Sequence, residues 1–245
     1  LLSSGSRNFK RDEEHASIFE IGPIFKGQLP EDQIISIGGL RFGKTAYRDW
    51  TNYGRSYDWL DAKADTEAVL KACGLDPSKM QLRSSSVNWF HPGRSGVFSL
   101  GKNEIAHFGE IYPNLLEDFN LKTNAVGFEI NIEKLPLPKK TSSVKKLLFL
   151  DNLQEVTRDF SFIIDKKISS GEITRSITSA DKDNIKEVRV FDLYEGEKLK
   201  KDEKSFGVTV IFQPKEKSFS EKNLDEFSKN IISIISKKFG GYLRD

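Results

Sequence analysis

Between Val156 and Arg244 the chain carries an ordered series of alternations, caps and stops that admits few folds. Phe160, Phe162 and Ile164 alternate with Ser161, Ile163 and Asp165, as a half-buried strand requires. Ser169-Ser170-Gly171-Glu172 then has the Ser-x-x-Glu spacing of a capping box, which predicts a helix to about Ala180. Asp181–Asn184 is turn chemistry, and Ile185–Tyr194 returns as a strand. Phe206, Val208, Val210 and Phe212 alternate until Pro214 removes a backbone donor. Ser220 is placed to cap a helix whose Leu224, Phe227, Ile231, Ile234 and Ile235 share one face, and Gly240-Gly241 ends it. Tyr242-Leu243-Arg244 remains for a short last strand. Strand, helix, strand, strand, helix, strand is the ferredoxin-like order, with both helices on one face of an antiparallel sheet and the other face free.

The rest of the chain is long enough for a second core, since 245 residues accommodate two ordinary domains. Composition breaks at Lys134–Ser143, where Pro136 and Pro138 precede a polar Lys-Lys-Thr-Ser-Ser run. Domains are therefore expected over 1–143 and 152–245, with Val144–Leu150 as a lead-in strand or extended arm. The N-terminal domain reads as a helical start over Leu1–Ala16, a strand over Ile18–Phe25 interrupted by a turn, and a strand over Gln33–Phe42. An amphipathic helix over Asp61–Cys73 ends at Gly74, and Gly96–Leu100, Glu104–Gly109 and Ala125–Ile132 follow as strands. Many strands with few helices predict an α+β domain on an antiparallel sheet. The chain opens on Leu1-Leu2-Ser3-Ser4-Gly5 and its single methionine is Met80, which reads as a piece of a longer polypeptide.

Several function classes are excluded. Cys73 is alone, so no intramolecular disulfide forms, and with the scattered His15, His91 and His107 it cannot assemble a His/Cys zinc site. A reducing cytoplasm fits this composition. No apolar run reaches the roughly 18 residues of a membrane span. Net charge is +2, and over residues 151–245 the two signs cancel at 18 each, so any nucleic-acid surface has to come from local placement.

Two segments carry candidate chemistry. Asp192 and Tyr194 share a face at a strand end, beside Lys198, Lys200, Lys201 and Lys204. An aromatic next to an acid suits stacking on an unpaired base while the carboxylate accepts from its amino group. The lysines, with Arg158 ahead of the first strand of this domain, are candidates to meet phosphate; a solvated hairpin tip and local ion pairing are their alternative readings. The second segment, Gly38-Gly39-Leu40-Arg41-Phe42-Gly43-Lys44-Thr45, satisfies the phosphate-loop pattern, and Leu147–Asp151 imitates the strand that holds magnesium. The rival function is therefore a nucleotide hydrolase using Lys44, Thr45 and Asp151. A phosphate loop needs a helix immediately after it, and Ala46–Gly54 has no helical apolar period. The preferred reading there is a strand end and loop. His91-Pro92-Gly93-Arg94-Ser95 reads as a structural turn.

The segments Val156–Phe162, Phe191–Gly196, Lys204-Ser205-Phe206 and Phe239–Arg244 together resemble, in order, the anticodon-binding domain that closes the beta chain of bacterial phenylalanyl-tRNA synthetases. Phe19–Gly22 with Phe25, Asp61-Ala62-Lys63, His91–Ser95 and Gly109–Pro113 are similar to the preceding part of that chain. The resemblance implies a catalytically silent, class II synthetase-like domain followed by a ferredoxin-like anticodon-binding domain. It assigns Asp192, Tyr194 and Ser205 to the first anticodon base, a guanine, of the tRNA for phenylalanine. It also implies an (αβ)2 heterotetramer in which the alpha chain uses ATP and magnesium, while this portion holds no cofactor and performs no catalysis. A silent core is expected to expose apolar surface for assembly. The chain departs from the family pattern at Leu153-Gln154-Glu155 and at Ser218-Phe219-Ser220-Glu221, neither of which touches the three base-reading positions.

Overall fold

A computed structural model describes residues 1–51, 53–85, 87–136, 152–197, 199–215 and 217–244. The chain divides into two units, Leu1–Ser142 and Ser143–Asp245.

The first unit begins with helix α1 (Leu2–Phe9) and the antiparallel pair β1 (Ala16–Phe25) and β2 (Gln33–Phe42). Helix α2 (Trp59–Ala72) follows, then β3 (Gln81–Arg83), β4 (Phe90–Leu100), β5 (Asn103–Ile111), the short helix α3 (Pro113–Asp118) and β6 (Ala125–Asn131). The six strands form one antiparallel sheet in the order β1-β2-β6-β5-β4-β3. Ala62 and Leu70 of α2 bury against Phe98, Ala106, Phe108, Val126 and Ile130 on one face. On the opposite face Leu40, Phe42, Ile111 and Ala125 gather Leu2 and Phe9 of α1 and Leu116 of α3. On the edge strand β1, Phe19 and Phe25 stand 75% and 69% exposed.

Three expectations are corrected here. The N-terminal helix ends at Phe9, Asp12 takes a left-handed φ of 65°, and Ala16 is already strand. Gly22-Pro23 does not turn: β1 runs through it, because an edge strand tolerates a residue without an N–H. His91–Ser95 is no turn either but part of β4, accommodated by a register shift against β5 between Phe90 and Ser95. The expected lead-in strand at 144–150 lies outside the described residues.

The phosphate-loop reading is overturned as well. Gly38–Phe42 is the second half of β2, and a Cβ at Gly39 would overlap the Phe128 ring, so this glycine serves packing. Gly43 turns the chain with φ 82°. Lys44 bridges Ser56, and the Thr45 hydroxyl accepts from Arg55 N–H at 3.2 Å, so no helix follows the pattern. Asp151 lies outside the described residues.

Helix α2 starts where the sequence supplies its cap. Asp58 Oδ1 accepts from Leu60 N–H at 2.8 Å, and Asp61 Oδ2 accepts from Asp58 N–H at 2.9 Å. Arg55 closes on the same carboxylate with two 2.7 Å hydrogen bonds. The Arg55 guanidinium holds the Asp61 carboxyl below the usual carboxylate range; burial opposes it, and the Asp58 N–H adds to the lowering. A depressed folded pKa contributes stability that is present above the unfolded value near 3.9 and is lost as pH falls through the folded one. Asp61→Asn is therefore expected to lower stability at neutral pH, with the gap from the parent closing below about pH 4. Urea denaturation across pH 2–7 checks this; parallel curves would refute it.

The second unit follows the predicted order: β7 (Val156–Asp165), α4 (Ser170–Ala180), β8 (Ile185–Tyr194), β9 (Glu203–Phe212), α5 (Glu221–Phe239) and β10 (Tyr242–Leu243). Both helices start on capping boxes. Ser169 pairs reciprocally with Glu172, and Ser220 with Asn223, whose N–H donates to Ser220 Oγ at 3.3 Å. Gly240 ends α5 in the left-handed conformation. The sheet is antiparallel in the order β10-β7-β9-β8. Phe160, Phe162, Ile164, Phe206, Val208, Val210 and Phe212 form one face, sealed by Ile173 and Ile177 of α4 and Ile231 and Ile235 of α5. Strand alternation sends the intervening side chains to the other face, which carries no helix among the described residues.

Candidate nucleic-acid interface

The free face of the second sheet is built from register. Ser205 of β9 lies between Ile163 of β7 and Tyr194 of β8, and Gly207 lies between Ser161 and Asp192. Asp192, Tyr194 and Ser205 are therefore brought to one face, at neighbouring positions. Asp159 and Thr209 continue this face, joined by a 2.5 Å hydrogen bond.

Tyr194 is 36% exposed, and its hydroxyl end lies over Gly196, where a Cβ would overlap it. The ring is thus seated on the loop rather than in the core, which does not include it. Ser205 is fully covered: its Oγ is 3.3 Å from Ser161 Oγ and accepts from Arg244 Nη1 at 3.2 Å. The Arg244 guanidinium carbon is 5.7 Å from the Tyr194 ring centroid.

The sequence reading gave no role to Phe191 or Arg244. A register shift between Val190 and Asp192 makes Phe191 the bulged residue of β8, and its ring is 59% exposed. It leans over Gly207, where a Cβ would stand 2.9 Å from the ring. The signal was available in Gly207, an isolated glycine within a strand pattern, which marks close approach.

The phosphate candidates separate. Lys200 and Lys201 are exposed, with Lys200 Nζ 3.4 Å from Glu203. Lys204 does not join them. It is buried, its ammonium donates to the carbonyls of Lys166 and Ile168, and desolvation pushes its pKa down. Arg158 has the parity of Phe160 and Phe162, on the helix side of the sheet, away from Tyr194. Neither stands on the free face with Tyr194. Lys198 lies outside the described residues. Among the described residues no group of three or more His, Cys, Asp or Glu side chains converges as metal ligands, and no helix is long and apolar enough to cross a membrane.

An antiparallel α+β unit with polar and aromatic side chains on its free face defines a class, and comparison agrees: residues 152–244 match the ferredoxin-fold anticodon binding domain. Residues 1–132 match the phenylalanyl tRNA synthetase beta chain CLM domain, and the chain belongs to the phenylalanyl-tRNA synthetase beta chain family. Three relatives are each named as a phenylalanine–tRNA ligase beta subunit. Those from Paramagnetospirillum magneticum and Rhodospirillum rubrum are 37% and 36% identical, and that from Ruegeria pomeroyi 39%, all over the whole of this chain. The chain spans 31% of the length of each of them. A solved structure titled as a pyrrolysyl tRNA synthetase, Desulfitobacterium hafniense PylSc, aligns with a TM-score of 0.40 at 18% identity, covering 54% of this chain and 45% of that one.

Proposed function

We propose that this chain is the portion of a phenylalanine–tRNA ligase beta subunit that reads the anticodon of the tRNA for phenylalanine, with the first unit serving assembly. The observation that carries the reading is the convergence of Asp192, Tyr194 and Ser205 on the helix-free face of the second sheet. The Tyr194 ring offers a stacking surface, the Asp192 carboxylate accepts from the amino group of a guanine, and the Ser205 hydroxyl adds a polar contact. Lys200 and Lys201 meet the RNA backbone, which positions the loop without reading sequence. Aminoacylation, with its ATP and magnesium, belongs to the alpha chain of an (αβ)2 heterotetramer in the cytoplasm. The phosphate-loop pattern of this chain is spent on strand β2 rather than on a loop that opens a helix. Exposed Phe19, Ile21 and Phe25 on β1 support an assembly surface in the first unit.

The test is base preference. Asp192→Ala is expected to reduce discrimination between guanine and adenine at the first anticodon position by about ten-fold or more, since adenine offers no equivalent donor. Titration of the chain with two anticodon stem-loops differing at that base measures it. An unchanged ratio would remove Asp192 from base reading.

A further inference from the structure

The end of the chain delivers a cation onto the face assigned to the anticodon. Gly240 closes α5 with φ 65°, and Gly241 lets the backbone pass Ile164 and Ile235, where a Cβ would overlap both. Strand β10 then pairs Tyr242 with Ile163, and Arg244 N–H donates to Ser161 O at 2.8 Å. The stem of Arg244 is thereby fixed beside Ser161, and its guanidinium reaches Ser205 and the Tyr194 ring. Among the described residues no carboxylate pairs with it.

We propose that Arg244 is the resident occupant of the base slot, filling the space between the Tyr194 ring and the Ser205 hydroxyl until the first anticodon base displaces it, and that the freed guanidinium then takes the phosphate of the incoming RNA. This rests on the anticodon reading of the same face. The physical case has three parts. Ser205 is fully covered, and its hydroxyl lies within hydrogen-bond distance of the Ser161 hydroxyl and the Arg244 guanidinium, so a base cannot reach it while the guanidinium is in place. A guanidinium is planar, stacks on aromatic rings and donates hydrogen bonds, so it satisfies in the free chain the groups that the base satisfies in the complex. With no ion-pair partner to leave among the described residues, it exchanges its position readily, and phosphate offers it a bidentate acceptor.

The experiment titrates the chain with an RNA stem-loop carrying the phenylalanine anticodon, over a salt series, for the parent, Arg244→Ala, Arg244→Lys and Tyr194→Ala. Arg244→Ala is expected to bind about ten-fold more weakly, as loss of a charge-assisted hydrogen bond predicts. Its log–log salt slope should be shallower by about 0.7, one single-strand phosphate contact. Arg244→Lys should restore the slope and only part of the affinity. The Arg244 Nε–H resonance, assigned by its loss in Arg244→Lys, should be shifted upfield by the Tyr194 ring in the free chain and move downfield when the stem-loop binds. A resonance that stays ring-shifted in the complex, or a salt slope unchanged in Arg244→Ala, overturns the proposal. If Tyr194→Ala also leaves affinity unchanged, the anticodon reading itself fails. If Tyr194→Ala weakens binding while the Arg244 results are negative, only this inference fails.

Discussion

Phe212→Ala is expected to destabilise the second unit by about 3–5 kcal/mol, the usual cost of removing a fully buried aromatic and leaving its cavity. Phe212 has no exposed surface; its ring stacks on Phe227 at 5.3 Å and meets Phe219 edge-on at 6.5 Å. It also anchors β9, which pairs with both β7 and β8 and so holds the free face together. Since domains of this size are stable by only about 5–15 kcal/mol, the loss consumes a large share of the total. The substitution should lower the melting temperature of this unit by roughly 15 °C or more. Phe212→Leu, which conserves most of the volume, should cost far less. A penalty for Phe212→Ala below about 1 kcal/mol, measured by urea denaturation, would show that the core is not organised around this ring.

Tyr194→Ala should weaken binding of an anticodon stem-loop by about 1–3 kcal/mol, the value of one base–aromatic stack. Tyr194→Phe should cost much less, because the ring face is kept and only the hydroxyl is lost. Neither change should unfold the unit, because Tyr194 lies outside its core. The contrast separates stacking from structure: a ring that merely covers the rim of the sheet would leave RNA affinity unchanged in both variants.

Much of the second unit was legible in its residues because each local signal points to the same fold. Ser169 with Glu172, the alternation from Phe206 to Phe212, and Gly240 each determine structure within a few residues. The pairing of Asp192 with Tyr194 on one face followed from period two alone. What escaped depends on long-range neighbours. Lys204 looks like its neighbouring lysines, and only the fold reveals the carbonyls of Lys166 and Ile168 that draw it inward. Arg244 acquires a role because β10 returns beside β7, a contact between residues distant in sequence. In the first unit, Gly22-Pro23 and His91–Ser95 carry strong turn chemistry, yet an edge position and a register shift absorb both. The phosphate-loop pattern failed for a related reason: its glycines answer a packed ring and a strand end, demands that a linear pattern does not distinguish from phosphate binding.

On the proposed reading, RNA meets the helix-free face of the second sheet at the slot formed by β8 and β9. Mapping backbone amide shifts of the chain on addition of the phenylalanine anticodon stem-loop tests this most directly. Perturbations are expected to concentrate at Phe191, Asp192, Tyr194, Ser205, Gly207 and Arg244 and to shrink when the first anticodon base is changed from guanine to adenine. Perturbations confined to the helical side, along Thr174 and Thr178 of α4 and Lys229 and Lys237 of α5, would contradict it.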